Sequence, residues 1–83
     1  LFIFQQPKVY GFWMKNTFIP LDIIWIDKNK TIVDIKRDVL PCKEEKCRVY
    51  YPDKEALYVL EINAGLSDEM NLNVGDGVEF YMY

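Results

Sequence analysis

Apolar residues in this chain alternate with polar ones in short runs, and most runs end in a cluster of turn formers. The clearest run is residues 21–27. Leu21, Ile23 and Trp25 share one face, and Asp22, Ile24 and Ile26 share the other. Both faces are apolar except at Asp22, so the pattern predicts a central strand covered on both sides. Asp27-Lys28-Asn29-Lys30 reads as a turn, and residues 31–39 as the returning strand of a hairpin. In that strand Val33 and Ile35 share a face. Ile32, Asp34 and Lys36 share the opposite one, which is half polar and is expected to meet solvent.

Other segments are read in the same way. Residues 1–4 read as the end of a strand and Gln5-Gln6-Pro7-Lys8 as a polar break, because proline disfavours continued pairing. Residues 9–15 are rich in β-formers and read as the next strand, forming a hairpin with 1–4. Residues 40–55 form the one long irregular segment, and loops of that length are usually functional or mobile. Its charged run, Lys43 to Lys46, reads first as solvated surface, with Tyr50 and Tyr51 laying the loop against the body of the domain. The sharper reading is a lid over a pocket.

Residues 56–63 form a further strand, with Tyr58, Leu60 and Ile62 on one face and Leu57, Val59 and Glu61 on the other. Ser67 is a good N-cap for a short helix ending near Leu72, with Leu66, Met70 and Val74 facing inward. Gly75-Asp76-Gly77 reads as a tight turn. Residues 78–83 read as a last strand, with Val78, Phe80 and Met82 on one face and Glu79, Tyr81 and Tyr83 on the other. The sum is a mostly β domain: a small twisted sheet or partly closed β-barrel of five to six strands with one short helix.

The 83 residues bound the chain to a single domain. The net charge of −3 argues against a nucleic-acid partner, which calls for a basic stripe. No apolar run approaches the roughly 20 residues of a membrane-spanning helix. The chain opens inside an apolar run, Leu1-Phe2-Ile3-Phe4, without an initiator methionine. We therefore expect a fragment lacking its N-terminal part, with an open sheet edge through which copies associate.

Cys42 and Cys47 admit three readings. A disulfide closing a small loop comes first; it implies an oxidising compartment or the cytosol of a hyperthermophile. Two free thiols come second. A metal site comes third, because zinc usually takes four Cys or His ligands and the chain has no histidine. No metal or cofactor is assigned.

The stretch from Gly11 to Asp22 sets Lys15, Asn16, Thr17 and Asp22 among apolar and aromatic residues. Buried polar groups cost several kcal/mol unless they find partners, so these residues need a reason. Three long segments also match a known family: Phe12-Trp13-Met14-Lys15-Asn16-Thr17-x-Ile19-Pro20-Leu21-Asp22-Ile23-Ile24, Val59-Leu60-Glu61-Ile62-Asn63-Ala64-Gly65 and Val74-Gly75-Asp76. The chain resembles the domain of unknown function 192 family over nearly its whole length. The resemblance implies a small, barrel-like β fold, frequent export, and no established activity. It also implies an upstream segment ending in Gly-Leu-Met-x-Arg, whose arginine has no counterpart here.

Three functional classes follow. In a structural reading Asn16 and Thr17 build a turn, and Asp22 accepts hydrogen bonds from turn N–H groups with Lys15 or the absent arginine as counter-charge. In a binding reading Trp13, Trp25 and nearby tyrosines form an apolar wall. Trp13, Lys15, Asn16 and Asp22 are then the candidate site for a small ligand or protein. In an enzymatic reading Lys15, Asp22 and Glu61 supply acid–base chemistry. There is no histidine or nucleophile-and-base spacing, so no residue is assigned a catalytic role. A binding or interaction module is favoured, and export is weakly preferred to the cytoplasm.

Overall fold

The computed structural model of the chain describes residues 1–81. The strands are β1 (Phe2–Lys8), β2 (Phe12–Trp13), β3 (Leu21–Ile26), β4 (Ile32–Val39), β5 (Val49–Tyr50) and β6 (Ala56–Asn63), followed by α1 (Leu66–Glu69). Four strands form an open antiparallel sheet in the order β1-β6-β3-β4; β2 and β5 form a separate two-stranded ribbon. Among the described residues the sheet is not closed into a barrel, because β1 and β4 remain its edges.

β3 is the central strand that its two apolar faces predict. Ile23, Ile24, Trp25 and Ile26 are all at most 1% exposed. Ile23 and Trp25 pack with Met14, Val39, Ala56 and Val59, and the ribbon covers this side through Phe12 and Tyr50. Ile24 and Ile26 pack with Ile32 on the opposite side, under Leu72, Val78 and Phe80. Burying a branched or aromatic side chain of this kind is worth about 1.5–3 kcal/mol, so both layers contribute to stability.

The 27–31 turn closes the β3–β4 hairpin. Asp27 accepts from the backbone N–H of Asn29 and Thr31 at 2.9 Å each, as Asp commonly does in turns. The face assignment in β4 differs from strict alternation. Trp25 pairs with Asp34 but Ile26 pairs with Ile32, so Val33 is an extra, bulged residue. Ile32 is therefore buried with Ile24, while Val33 packs on the opposite side of the sheet from Ile35. Asp34 is also buried, with Lys36 at 3.1 Å and the Asp53 N–H at 3.1 Å as partners, rather than facing solvent.

Further expectations are corrected. β1 runs through the polar stretch to Lys8, with its register interrupted between Ile3 and Lys8 where Gln5, Gln6 and Pro7 stand out of the ladder. It pairs with β6, so the 1–4/9–15 hairpin does not form. Only Phe12 and Trp13 of the 9–15 run are strand, because Tyr10 turns back to stack on Phe4 (centroids 3.7 Å apart) and gives its carbonyl to the Trp25 indole at 2.9 Å.

The helix is one turn long. Gly65, at φ 94°, is its N-cap, and Ser67 is buried inside it rather than capping it. Met70 and Val74 are more than 60% exposed, because the helix ends at Glu69 and its periodicity does not reach them; Leu72 packs inward instead. Residues 78–81 form no strand. Gly75, Asp76 and Val78 instead bond Lys30 and Ile32 along the open edge of β4, and Val78 and Phe80 pack inward. Met82 and Tyr83 of the expected last strand lie outside the described residues.

Candidate functional site

Asp22 is fully buried at the start of β3. Its Oδ1 accepts the Asp38 N–H at 2.8 Å. Its Oδ2 accepts the Gly65 N–H at 3.2 Å, the Ser67 N–H at 3.0 Å and the Ser67 hydroxyl at 2.6 Å. These donors exist for local reasons. Leu21 pairs with Val39 and Ile23 with Lys36, so β4 carries a second extra residue opposite Asp22; Asp38, at φ 52°, frees its N–H there. The Gly65 and Ser67 N–H groups are the unsatisfied donors of a helix start. Burial, the largest single influence, pushes the Asp22 carboxyl up. The Ser67 hydroxyl and the three N–H groups together outweigh it and hold the pKa below the usual range.

Arg37 completes this cluster from β4. Its Nη1 donates to Ser67 Oγ at 3.0 Å and to Asp68 Oδ1 at 2.6 Å, and its Nη2 donates to the Leu72 carbonyl at 2.8 Å. Asp22 thus meets an arginine through Ser67, and no ion pair joins it to Lys15 among the described residues.

Lys15 belongs to a different corner. The chain turns after Met14, whose carbonyl accepts from the Thr17 hydroxyl at 2.7 Å and from the Cys42 N–H at 3.0 Å. Asn16 adopts the left-handed conformation (φ 65°) that asparagine tolerates well. The Lys15 ammonium lies 5.6 Å from the Trp13 ring centroid and donates to the Glu45 carbonyl at 3.2 Å. Trp13 is half exposed, whereas Trp25 is wholly buried and forms no wall of a surface site. Of the four residues singled out, Trp13, Lys15 and Asn16 lie together, while Asp22 points to the Ile24 and Ile26 side of the sheet. Glu61 pairs with Ile23 and so faces the side opposite to Asp22; burial pushes its carboxyl up.

Beside the Lys15 corner a cleft of about 260 Å³ opens between β5, Met14 and the 40–48 loop. Met14, Leu40, Pro41 and Cys42 give it apolar surface; Lys43, Glu44, Lys46 and Arg48 give it charge. The Arg48 guanidinium lies 4.7 Å from the centroid of the Tyr50 ring, which also lines the cleft. A disulfide joins Cys42 to Cys47 across the loop, Sγ to Sγ 2.11 Å. A smaller hollow of about 150 Å³ lies beside the 27–31 turn, against Pro7 and Glu55.

Sequence reasoning reads Lys43, Lys46 and Tyr50 as loop surface or as a lid over a pocket without assigning them to a site, and it does not name Arg48. A signal was present: three cations within six residues, beside a cysteine pair, in a chain of net charge −3.

These features define a small antiparallel β domain with a disulfide-closed loop standing over a cleft. The profile of the DUF192 family (Uncharacterized ACR) matches residues 1–80, and the chain belongs to this family. A UPF0127 protein of Pyrococcus abyssi is 35% identical over 75 residues, covering 90% of this chain and 56% of that protein. One of Thermococcus kodakarensis is 34% identical over 71 residues, covering 86% and 40%. The chain thus spans about half the length of these relatives.

Two solved structures share the fold. A protein of unknown function from Novosphingobium aromaticivorans DSM 12444 superposes with a TM-score of 0.84 at 33% identity, over 94% of this chain and 54% of that one. A protein of Sinorhizobium meliloti 1021, described provisionally as a transcription regulator, gives 0.79 at 32% identity, over 93% and 57%. No specific function is established by these likenesses. No helix is long and apolar enough to cross a membrane among the described residues.

Proposed function

We propose that this domain is a binding module that takes a small ligand in the cleft beneath the disulfide-closed loop, with Trp13, Lys15 and Asn16 at its margin. The observation that carries this reading is the cleft itself: a concavity that combines an apolar floor with a few charged groups, which is how ligand sites are built. Asp22 is assigned a structural role, because both of its oxygens are taken by protein donors. Acid–base chemistry by Lys15, Asp22 and Glu61 lacks comparable support, since Asp22 and Glu61 face opposite sides of the sheet.

The test is a titration of isotope-labelled protein with a panel of small carboxylates, sugars and short peptides, followed by amide shifts. Shifts at Met14, residues 42–48 and Tyr50 are expected. Shifts confined to other surfaces, or none from any probe, overturn the reading.

A second reading, self-association, is favoured by one observation: β1 is an edge strand on which Phe2 and Ile3 are 46% and 57% exposed. It predicts a concentration-dependent dimer by sedimentation, and a monomer at millimolar concentration removes it. The Cys42–Cys47 disulfide supports an exported location.

A further inference from the structure

We propose that the cleft selects a small organic carboxylate, with the anionic end on Arg48, Lys43 and Lys46 and the apolar end on Leu40 and Pro41. This rests on the binding reading above and assigns its ligand class.

Charge is the first reason. The chain carries net −3, yet three of the four charged residues lining the cleft are cations. Lys36 and Arg37 on β4 have carboxylate partners within ion-pair distance. Lys43, Lys46 and Arg48 have none among the described residues. Glu44 offsets one of these three charges, so the lining keeps a net positive charge, which favours an anion.

Geometry is the second. The Arg48 guanidinium lies over the Tyr50 ring, which holds one face of the planar group. Among the described residues no carboxylate pairs with it, so its N–H edges can make the two parallel hydrogen bonds that arginine makes to a carboxylate. Lys15, next in sequence to Met14 of the cleft, is already committed to the Glu45 carbonyl and the Trp13 ring.

Shape and polarity are the third. Leu40 and Pro41 form an apolar floor, and Met14 beneath them is 1% exposed, so the floor is firmly packed. A bare phosphate would leave that floor unused, whereas a carboxylate with a short alkyl body covers it. The volume of about 260 Å³ lies below the roughly 300–1,000 Å³ of sites for drug-sized molecules, which limits the body to a short one. The disulfide pins the loop carrying Lys43 and Lys46, so their positions are set before the ligand arrives.

The experiment titrates the disulfide-intact protein, at fixed ionic strength, with butyrate, its uncharged isostere butyramide, and inorganic phosphate, read by amide shifts and calorimetry. Butyrate is expected to saturate shifts at Met14, residues 42–48 and Tyr50, with butyramide and phosphate at least about tenfold weaker. Arg48→Gln and the double variant Lys43→Gln/Lys46→Gln are expected to weaken butyrate by about tenfold or more with an unchanged unfolding midpoint. Butyramide binding as well as butyrate, or phosphate binding equally or more tightly, overturns the carboxylate assignment while leaving the cleft as a site. Absence of cleft shifts with every probe overturns the binding reading itself.

Discussion

Asp22 on the central strand accepts the hydroxyl hydrogen of Ser67 at 2.6 Å, across 45 residues of sequence, and also accepts that residue's backbone N–H at 3.0 Å. A strand carboxylate thereby does for α1 what a local N-cap side chain does elsewhere: it satisfies donors at the helix start. The same carboxylate accepts from Asp38, so one side chain fastens β3, the β4 bulge and α1 together.

Removing that carboxylate strands buried donors, which costs about 1–3 kcal/mol each where water cannot replace the partner. Asp22→Ala should therefore destabilise the fold by about 3–5 kcal/mol. Ser67→Ala, which deletes the hydroxyl's bond to Asp22 and its bond from Arg37 and leaves the two N–H donors satisfied, should cost about 1–2 kcal/mol. Urea unfolding of the two variants and the double variant checks both values. The double variant should fall short of the sum, because the residues share a bond.

The pH dependence follows from the lowered pKa of Asp22. A carboxyl whose pKa is lower folded than unfolded stabilises the fold fully above its unfolded value, near about 4. That contribution is lost as the pH falls through the folded value. Stability should accordingly drop on acidification below about pH 4, and Asp22→Asn should flatten the drop. Glu61, with its raised pKa, has the opposite sign: its contribution is full below its unfolded value and shrinks as the pH rises through the folded one. Unfolding midpoints of Glu61→Gln and Asp22→Asn between pH 2 and 7 should separate the two.

Reducing the Cys42–Cys47 disulfide frees a short loop, so the denatured state gains only about 2 kcal/mol of loop entropy. The fold should survive reduction. The loop should not stay fixed: amide exchange at residues 43–48 should accelerate, while Ile24 and Val59 in the sheet remain protected. Exchange measured with and without a dithiol reductant tests this, as does the Cys42→Ser/Cys47→Ser variant.

Gly11 lies beneath the ribbon partner of β2. A Cβ added there would come within 2.6 Å of Tyr51 Cε1 and Val49 Cγ1. Gly11→Ala should push β5 outward at a cost of about 1–3 kcal/mol. The shift should appear in amide signals at Val49 and Tyr50, next to the cleft, and spare the β3–β4 hairpin.

The parts of the fold legible in the sequence are those where pattern and burial coincide. Residues 21–26 read as doubly covered because both of their faces are apolar, and they are. Residues 56–63 and the 27–31 turn were equally plain, since alternation and an Asx-type turn are local signals. The β4 faces were misread because a bulge shifts every residue beyond it to the other side, and no residue type marks Val33 as the extra one. Ser67 looked like an N-cap on local chemistry alone; its actual partner lies 45 residues away. The β2–β5 ribbon escaped because two-residue strands leave no periodicity to find. In the candidate site, Trp13, Lys15 and Asn16 were visible as a polar break in an aromatic run, and the cleft beside them was not. The charge run from Lys43 reads first as solvated surface and second as a lid over a pocket, and its relation to Met14 and Tyr50 exists only once the loop is folded back.

The central claim is a division of labour: the 40–48 loop binds, and the Asp22–Ser67 cluster holds the fold. Its most direct test is an amide-resolved titration of the oxidised protein with butyrate. The account predicts saturable shifts at Met14, Cys42, residues 43–48 and Tyr50, with Gly65 and Ser67 unmoved. Shifts centred on Gly65, Ser67 and Asp38, with the loop silent, would contradict it.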